Sequence, residues 1–309
     1  MKAVVYKSTG SWYVVKGQDG KWYNARIKGK FKIDDITSTN PITVGDEIDI
    51  ELEDTREQTA VIINIYDRHN YINRQSPSHK GKHHIIAANV DQTLLICTLK
   101  EPRTSQGFID RFLAAAEAYH IPALLIFNKS DLYKEKQMAY YEELKEMYRK
   151  IGYPVFLISV IKNEGADDIR LLLQGKTSLI SGHSGVGKSS FINWIAPSIE
   201  LRTQKISEWS GKGLHTTTFA EMFDLPFDGR IIDTPGIREF GLVDISRNEL
   251  SHYFPEMRDL LNNCQFNNCR HINEPGCAIK EAVEEGEIHI ERYLSYCTIL
   301  DSIEESLYR

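Results

Sequence analysis

The chain has 309 residues, with 37 Lys and Arg against 43 Asp and Glu, a formal net charge of -6 and 41% hydrophobic residues. That length exceeds the ~100–200 residues usual for one domain, and its apolar runs are strand-sized, far short of the ~18–20 residues that cross a bilayer. Residues Met1 to Gly10 lack a signal-peptide core, and three of five cysteines fall in one short window, so a multidomain α/β chain without membrane spans, in the reducing cytoplasm, is expected.

Residues 1–68 read as short strands over 3–6, 12–15, 22–31, 47–52 and 59–65, with turns at 17–20 and 44–46. Five strands in that length predict an OB-fold β-barrel. Arg26, Lys28, Lys30 and Lys32 alternate with Ala25, Ile27, Gly29 and Phe31, which places the four cations on one face of one strand. No acid occurs between Asp19 and Asp34, and Trp22 and Tyr23 precede the run, so a groove that follows an RNA backbone and stacks bases is one reading. A solvated edge strand guarded by lysines is the other. Residues 69–90 form a basic linker within a stretch free of acids from Arg68 to Val90, holding Arg68, Arg74, Lys80 and Lys82. It reads as a flexible, phosphate-contacting connector or as a plain solvated one.

Residues 91–245 alternate strands (93–98, 123–127, 154–159, 177–181) with helices (109–119, 139–151, 166–173, 189–195). The strand 123–127 leads into Asn128-Lys129-Ser130-Asp131. An Asp131 carboxylate there can accept from guanine N1–H and the 2-amino group, a pairing that adenine cannot offer. Asn128 would tether the loop near the purine, the Lys129 stem would lie over the base, and Ser159-Val160 would bring backbone N–H groups to guanine O6. The strand 177–181 leads into Gly182-His183-Ser184-Gly185-Val186-Gly187-Lys188-Ser189, a complete phosphate loop, and Ser190 continues into the helix. Its backbone N–H groups would curl around a β-phosphate, Lys188 would bridge the β- and γ-oxygens, and the Ser189 hydroxyl would ligate Mg2+. Farther on, Gly213 to Thr218 (GLHTTT) offers a switch loop in which Thr217 is the candidate Mg2+ ligand, although these threonines can equally begin the strand through Phe219, Met222 and Phe223. After Ile231 and Ile232 comes Asp233-Thr234-Pro235-Gly236, where Asp233 would reach Mg2+ through water and Gly236 N–H would bind the γ-phosphate. Next stands Ile237, which cannot orient water, so either hydrolysis is slow or another group, with His215 the nearest candidate, does so. The base-reading segment precedes the phosphate loop, the reverse of the ordinary order, so the P-loop GTPase domain reads as circularly permuted.

Residues 246–309 carry twelve acids against six Lys and Arg, an excess equal to the whole net charge of -6. Within them Cys264, Cys269, His271 and Cys277 form a Cys-x4-Cys-x-His-x5-Cys cluster. Three thiolates and one imidazole suit a closed, tetrahedral structural zinc site, with Pro275 and Gly276 turning the chain back to the metal. A mainly helical zinc-binding domain is expected, in which metal binding is a folding requirement.

These motifs, in this order, together with the hydrophobic Ile237 and the flanking barrel and zinc tail, resemble the circularly permuted ribosome-assembly GTPases of the RsgA (YjeQ) family over essentially all 309 residues. The resemblance implies a slow GTPase, stimulated by the small ribosomal subunit, that binds its rRNA late in maturation and helps release an assembly factor. It also implies one structural Zn2+ and Mg2+ with GTP; a monomer is expected. An RNA-binding scaffold with a degraded GTPase, and a small-molecule P-loop kinase, are the competing readings.

Overall fold

The computed structural model describes residues 1–27, 41–54, 57–75, 83–197, 199, 220–234 and 245–303. Strands β1 (Lys2–Ser8), β2 (Tyr13–Gly17), β3 (Trp22–Ile27), β4 (Glu47–Asp54) and β5 (Thr59–Ile65) pair in the order β1-β2-β3-β5-β4. A further pairing of β4 with β1 closes the barrel, and the β3–β5 pair alone is parallel. Inward residues Val5, Val15, Ala25, Ile48, Ile50 and Ile62 are buried and fill it. The expected five-stranded barrel is therefore present, with its polar residues turned outward by the period of two.

Strands β6 (Tyr71–Gln75) and β7 (His83–Ala88) form a separate antiparallel pair. It is held to the barrel by a bridge from Val44 to Ala87 and by the Thr43 hydroxyl, which donates toward Ile85 O and Ile86 O. Arg68, expected among the phosphate-contacting cations, is instead committed to buried Asp46, with Nε and Nη2 2.6 and 2.7 Å from its two oxygens. Lys80 and Lys82 lie outside the described residues.

The middle of the chain contains β8 (Gln92–Cys97), α1 (Gln106–Ala118), β9 (Ala123–Phe127), α2 (Glu135–Ile151), β10 (Val155–Leu157), α3 (Ala166–Leu173), β11 (Thr177–Ser181), α4 (Lys188–Ile195), β12 (Glu221–Asp224) and β13 (Arg230–Asp233). The sheet order is β10-β9-β8-β11-β13-β12, parallel except for β12. Near-continuous apolar strands are what a parallel sheet covered on both faces requires. Leu95, Cys97, Leu125 and Phe127 pack under α1 and α2, while Leu94, Ile96, Leu124 and Ile126 pack with residues of α3 and α4 on the opposite face.

Barrel and sheet are continuous, because β1 pairs with β12 at Lys7 and Glu221. Lys7 Nζ lies 2.9 Å from Glu221 Oε2, Lys16 Nζ 2.7 Å from Asp224 Oδ2, and the Tyr6 hydroxyl donates to Asp224 Oδ1 at 2.5 Å.

The C-terminal region is helical, with α5 (Pro255–Arg258), α6 (Ala278–Glu284) and α7 (Ile290–Ser302) packed so that Ala114 of α1 joins Leu250, Phe254, Met257, Tyr296, Ile299 and Leu300. At this junction Arg292 is fully buried. Its Nη1 lies 2.7 Å from Asp110 Oδ1 in α1 and its Nε 2.7 Å from Glu256 Oε1 in α5, and its guanidinium stands 4.6 Å from the Phe254 ring centroid. The Tyr148 hydroxyl from α2 donates to the same Asp110 oxygen at 2.7 Å. One cation thus holds carboxylates from two parts of the chain, and removing it strands buried charge. Arg292→Ala is expected to cost about 3–5 kcal/mol, seen as early loss of hydrogen-exchange protection in α7 and as a lowered thermal midpoint; Arg292→Lys, which keeps the charge without the planar fork, should fall between.

Candidate nucleotide site and metal cluster

The carboxyl ends of β8, β9, β10, β11 and β13 open on one side of the sheet, where ligands bind in open α/β folds. Asn128 follows β9 directly, and its N–H donates to Cys97 O of β8 at 2.8 Å. Its buried side chain donates from Nδ2 to Val186 O at 3.0 Å, inside the phosphate loop. Lys129, with a left-handed φ of 64°, donates from Nζ to Gly185 O at 2.8 Å and also to Glu101 O. The base-reading and phosphate loops, more than fifty residues apart in sequence, are therefore bonded to one another. Their approach is so close that a Cβ on Gly187, whose φ is +97°, would lie 2.6 Å from Asn128 Nδ2. Glycine is needed at that point.

Asp131 begins its approach to the site from a short 3-10 turn, Ser130–Leu132. Its Oδ1 accepts from the Ser159 hydroxyl at 2.6 Å, and the same Ser159 oxygen accepts from Lys162 N at 3.1 Å. Ser159 is fully buried, so the carboxylate is aimed by a side chain that cannot turn away to solvent. Val160 packs against the neighbouring core, and the Ser130 hydroxyl lies 3.4 Å from Glu164 Oε2.

Two contacts here escape local sequence patterns. Trp194 Nε1 in α4 donates to Asn163 Oδ1 at 2.6 Å, joining the helix after the phosphate loop to the turn after Ser159. The Tyr133 hydroxyl donates to Asn128 O at 2.8 Å and accepts from Leu99 N at 2.9 Å. Nothing in hydrophobic periodicity marks either pairing.

Val186 is buried, Ser184 and Gly185 are exposed, and α4 begins at Lys188 with Ser189 and Ser190 exposed in its first turn. Lys188 Nζ donates to Gly182 O and, at 3.2 Å, to His183 O. Burial lowers the Lys188 pKa, with the Asp233 carboxylate opposing, while burial raises that of Asp233, with Lys188 and the Thr234 N–H opposing. Lys188, in the loop and helix after β11, and Asp233, at the end of the neighbouring β13, are thus both partly desolvated and feel one another's charge, an arrangement that can take up an anion and a cation together. His215, Thr217, Gly236 and Ile237 lie outside the described residues.

The cationic face expected on β3 looks different in three dimensions. Arg26 forms a bidentate pair with Glu53 of β4, Nη2 to Oε1 at 2.9 Å and Nε to Oε2 at 3.2 Å. Tyr23 is buried in the barrel with its hydroxyl on Asp19 at 2.7 Å, because position 23 falls on the inward phase of β3. Trp22 is half-buried beside Tyr6, ring centroids 4.7 Å apart, with Lys16 above it. The pair does not form an exposed stacking platform; among the described barrel residues Trp12, 46% exposed after the β1 strand, is the accessible indole. Lys28, Lys30 and Lys32 lie outside the described residues.

In the C-terminal region Cys264, Cys269, His271 and Cys277 bring one ligand atom each to within 4.8 Å of one another. His271 Nδ1 lies 3.6 Å from Cys264 Sγ and 3.4 Å from Cys277 Sγ, close to the ~3.7 Å edge of a tetrahedron with ~2.3 Å metal–sulfur bonds. The donor set therefore fits a metal ion. Burial pushes the Cys269 thiol up to about 12 and the Cys277 thiol upward, and lowers His271. Helix α7 supports the cluster from behind, as Tyr293 and Tyr296 donate to His271 O at 2.7 Å and Arg270 O at 3.0 Å. Glu274 accepts from the N–H groups of Arg270, Ile272 and Asn273 at 2.9, 3.0 and 3.1 Å, closing the loop between ligands.

A family profile described as RsgA GTPase matches residues 65–243, and one described as RsgA N-terminal domain matches residues 2–62. The chain is similar to a small ribosomal subunit biogenesis GTPase RsgA of Christiangramia forsetii, 52% identical over 310 residues and covering 100% of this chain and 98% of that one. It is 50% identical to the protein of that name in Bacteroides fragilis, over 100% of this chain and 99% of the relative. Among solved structures, YjeQ from Thermotoga maritima superposes with a TM-score of 0.79 at 34% identity, covering 97% of each chain. YloQ, described as a circularly permuted GTPase, superposes at 0.76 with 29% identity, covering 100% of this chain and 96% of that one.

The bond that aims Asp131 generates a direct test. Ser159→Ala removes a hydrogen bond to a charged group and is expected to weaken guanine nucleotide binding about tenfold or more, with a smaller effect on nucleotides whose base lacks the 2-amino group, measured by titration.

Proposed function

Because this chain belongs to the RsgA GTPase family, we propose that it hydrolyses GTP in the service of small ribosomal subunit biogenesis, binding rRNA in the cytoplasm late in maturation and helping to release an assembly factor. The observation that carries the GTPase reading is the bonding of Asn128 and Lys129 into the phosphate loop beside the Ser159-oriented Asp131 carboxylate. A kinase for small metabolites has no use for a guanine-directed carboxylate, and a scaffold has no use for a lysine and a carboxylate partly desolvated at neighbouring strand ends.

In this reading Asp131 accepts from the guanine edge, Asn128, Ser130 and the Ser159-Val160 backbone shape the base pocket, and the Lys129 stem covers the ring. The N–H groups of the 182–190 segment surround the phosphates. Lys188, whose Nζ donates to Gly182 O and His183 O, would bridge the β- and γ-oxygens. Ser189, Thr217 and Asp233 would hold Mg2+, which would offset negative charge on the phosphates. Gly236 N–H binds the γ-phosphate. With Ile237 unable to orient water, His215 takes that part, and turnover without a partner is slow. The C-terminal cluster would hold one Zn2+ as a structural ion, since four protein ligands would leave no open position for chemistry. The chain acts as a monomer and would meet the rRNA backbone with Lys28, Lys30 and Lys32, Arg26 being already paired with Glu53.

GTP turnover of the purified chain should rise strongly with small ribosomal subunits and stay slow with large subunits or free RNA; uniformly slow turnover despite GTP binding would instead favour the scaffold reading. His215→Ala should keep GTP affinity and lose subunit-stimulated hydrolysis, and full stimulated turnover in that variant removes His215 from the mechanism. Metal analysis should find one zinc per chain, lost in Cys277→Ser together with protection of the 264–277 loop in hydrogen exchange.

A further inference from the structure

The phosphate loop carries an imidazole at its second position, and neither the base, the phosphates nor a metal gives that ring a role. His183 Nε2 lies 2.8 Å from Thr104 Oγ1, and Nδ1 lies 3.2 Å from Ser184 O. The ring meets Phe108 of α1 edge-on, centroids 5.5 Å apart. Thr104 is 2% exposed, and its hydroxyl oxygen already accepts from Thr98 N at 3.0 Å. Ser184 O can only accept. One tautomer satisfies every group: Nδ1–H donates to Ser184 O, and Nε2 accepts the Thr104 O–H.

Thr104 belongs to the segment between β8 and α1, which meets the phosphate loop at two further points. Pro102 Cδ would stand 3.3 Å from a Cβ on Gly185, and Lys129 Nζ donates to both Glu101 O and Gly185 O. The segment is itself closed, since Thr104 N donates to Thr98 O at 2.7 Å and the Thr98 hydroxyl to Pro102 O. It is a braced support, and His183 is the loop side chain that reaches it.

We propose that His183 is a positioning residue that latches the phosphate loop to the 98–104 segment through Thr104, so that the loop is already formed when nucleotide arrives. The proposal rests on the GTPase reading. Glycines 182, 185 and 187 all adopt positive φ, and ordering so permissive a backbone at the moment of binding costs conformational entropy. A latched loop has lost that freedom beforehand, which improves affinity without new contacts to the ligand. Because the gain applies to GDP and GTP alike, it is uniform binding and acts on KM more than on kcat.

The test is titration of the full chain with fluorescent GDP and a GTP analogue, together with steady-state turnover and thermal unfolding of each variant. His183→Ala is expected to bind both nucleotides about tenfold more weakly, with KM raised by a similar factor and kcat lowered far less. His183→Gln, whose amide can reach the place of Nε2, should recover most of the affinity. Thr104→Val should reproduce the loss, Thr104→Ser should not, and the His183→Ala/Thr104→Val pair should be no weaker than the worse single variant. Affinity within about twofold of the parent in His183→Ala, or fully additive losses in the pair, overturns the latch. So does a fall in kcat at unchanged KM, which makes the imidazole a participant in the reaction. Should His183→Ala not fold, the comparison of Thr104→Val with Thr104→Ser decides the same question: equal affinities in those two variants overturn the latch. A parent chain that binds no guanine nucleotide defeats the GTPase reading itself, whereas a parent that binds with an indifferent His183→Ala defeats only the latch.

Discussion

The bonds from Asn128 Nδ2 to Val186 O and from Lys129 Nζ to Gly185 O hold together the two halves of the nucleotide site. They reach from the loop after β9 to the loop after β11, with β8 lying between those strands in the sheet. A parallel sheet specifies which strand ends are neighbours without regard to the order in which the chain visits them. That indifference is why the base-reading loop can come first in sequence and the phosphate loop second while the geometry closes. The close contact at Gly187 shows how little tolerance the arrangement has: one Cβ would enter the Asn128 amide.

Around this centre, charge is concentrated at joints. Lys7 and Lys16 meet Glu221 and Asp224 where the barrel adds to the sheet, and Arg292 meets Asp110 and Glu256 where the helical tail covers α1. Both joints touch elements that lead into the site. Strand β12 is antiparallel to β13, which ends at Asp233, and α1 follows the segment that supports the phosphate loop. The flanking parts are thus packed onto the elements that carry the nucleotide machinery rather than tethered to it by chain alone. The Arg292 pairs are buried, so desolvation offsets much of their attraction, whereas the Lys7 and Lys16 pairs keep contact with solvent.

The metal cluster likewise depends on a few polar groups. Residues 264–277 contain few large apolar side chains, and they are organised by ligands converging from Cys264, Cys269, His271 and Cys277, by the Glu274 carboxylate and by two tyrosines of α7. A metal held by these four ligands would fix from one side the loop that α7 fixes from the other.

Much of this was legible in the sequence by itself. The run ALLIF before Asn128, the run TSLIS before Gly182, the alternation in the first 65 residues and the spacing of the three cysteines with His271 depend on neighbours along the chain, so period and spacing reveal them. The barrel, the permuted sheet and the metal-binding donor set follow from such patterns. Tertiary structure alone decided which partner each polar group takes. Arg26 and Arg68 read as free cations until Glu53 and Asp46 arrive from other segments, and Tyr23 reads as a stacking ring until barrel closure turns it inward. His183 reads as one phosphate-loop position among several until the fold brings Thr104 to its Nε2, 79 residues away in sequence. The physical reason is that local pattern fixes an element's type and inward face, whereas a hydrogen bond or ion pair is chosen only among groups that chain closure has already made neighbours.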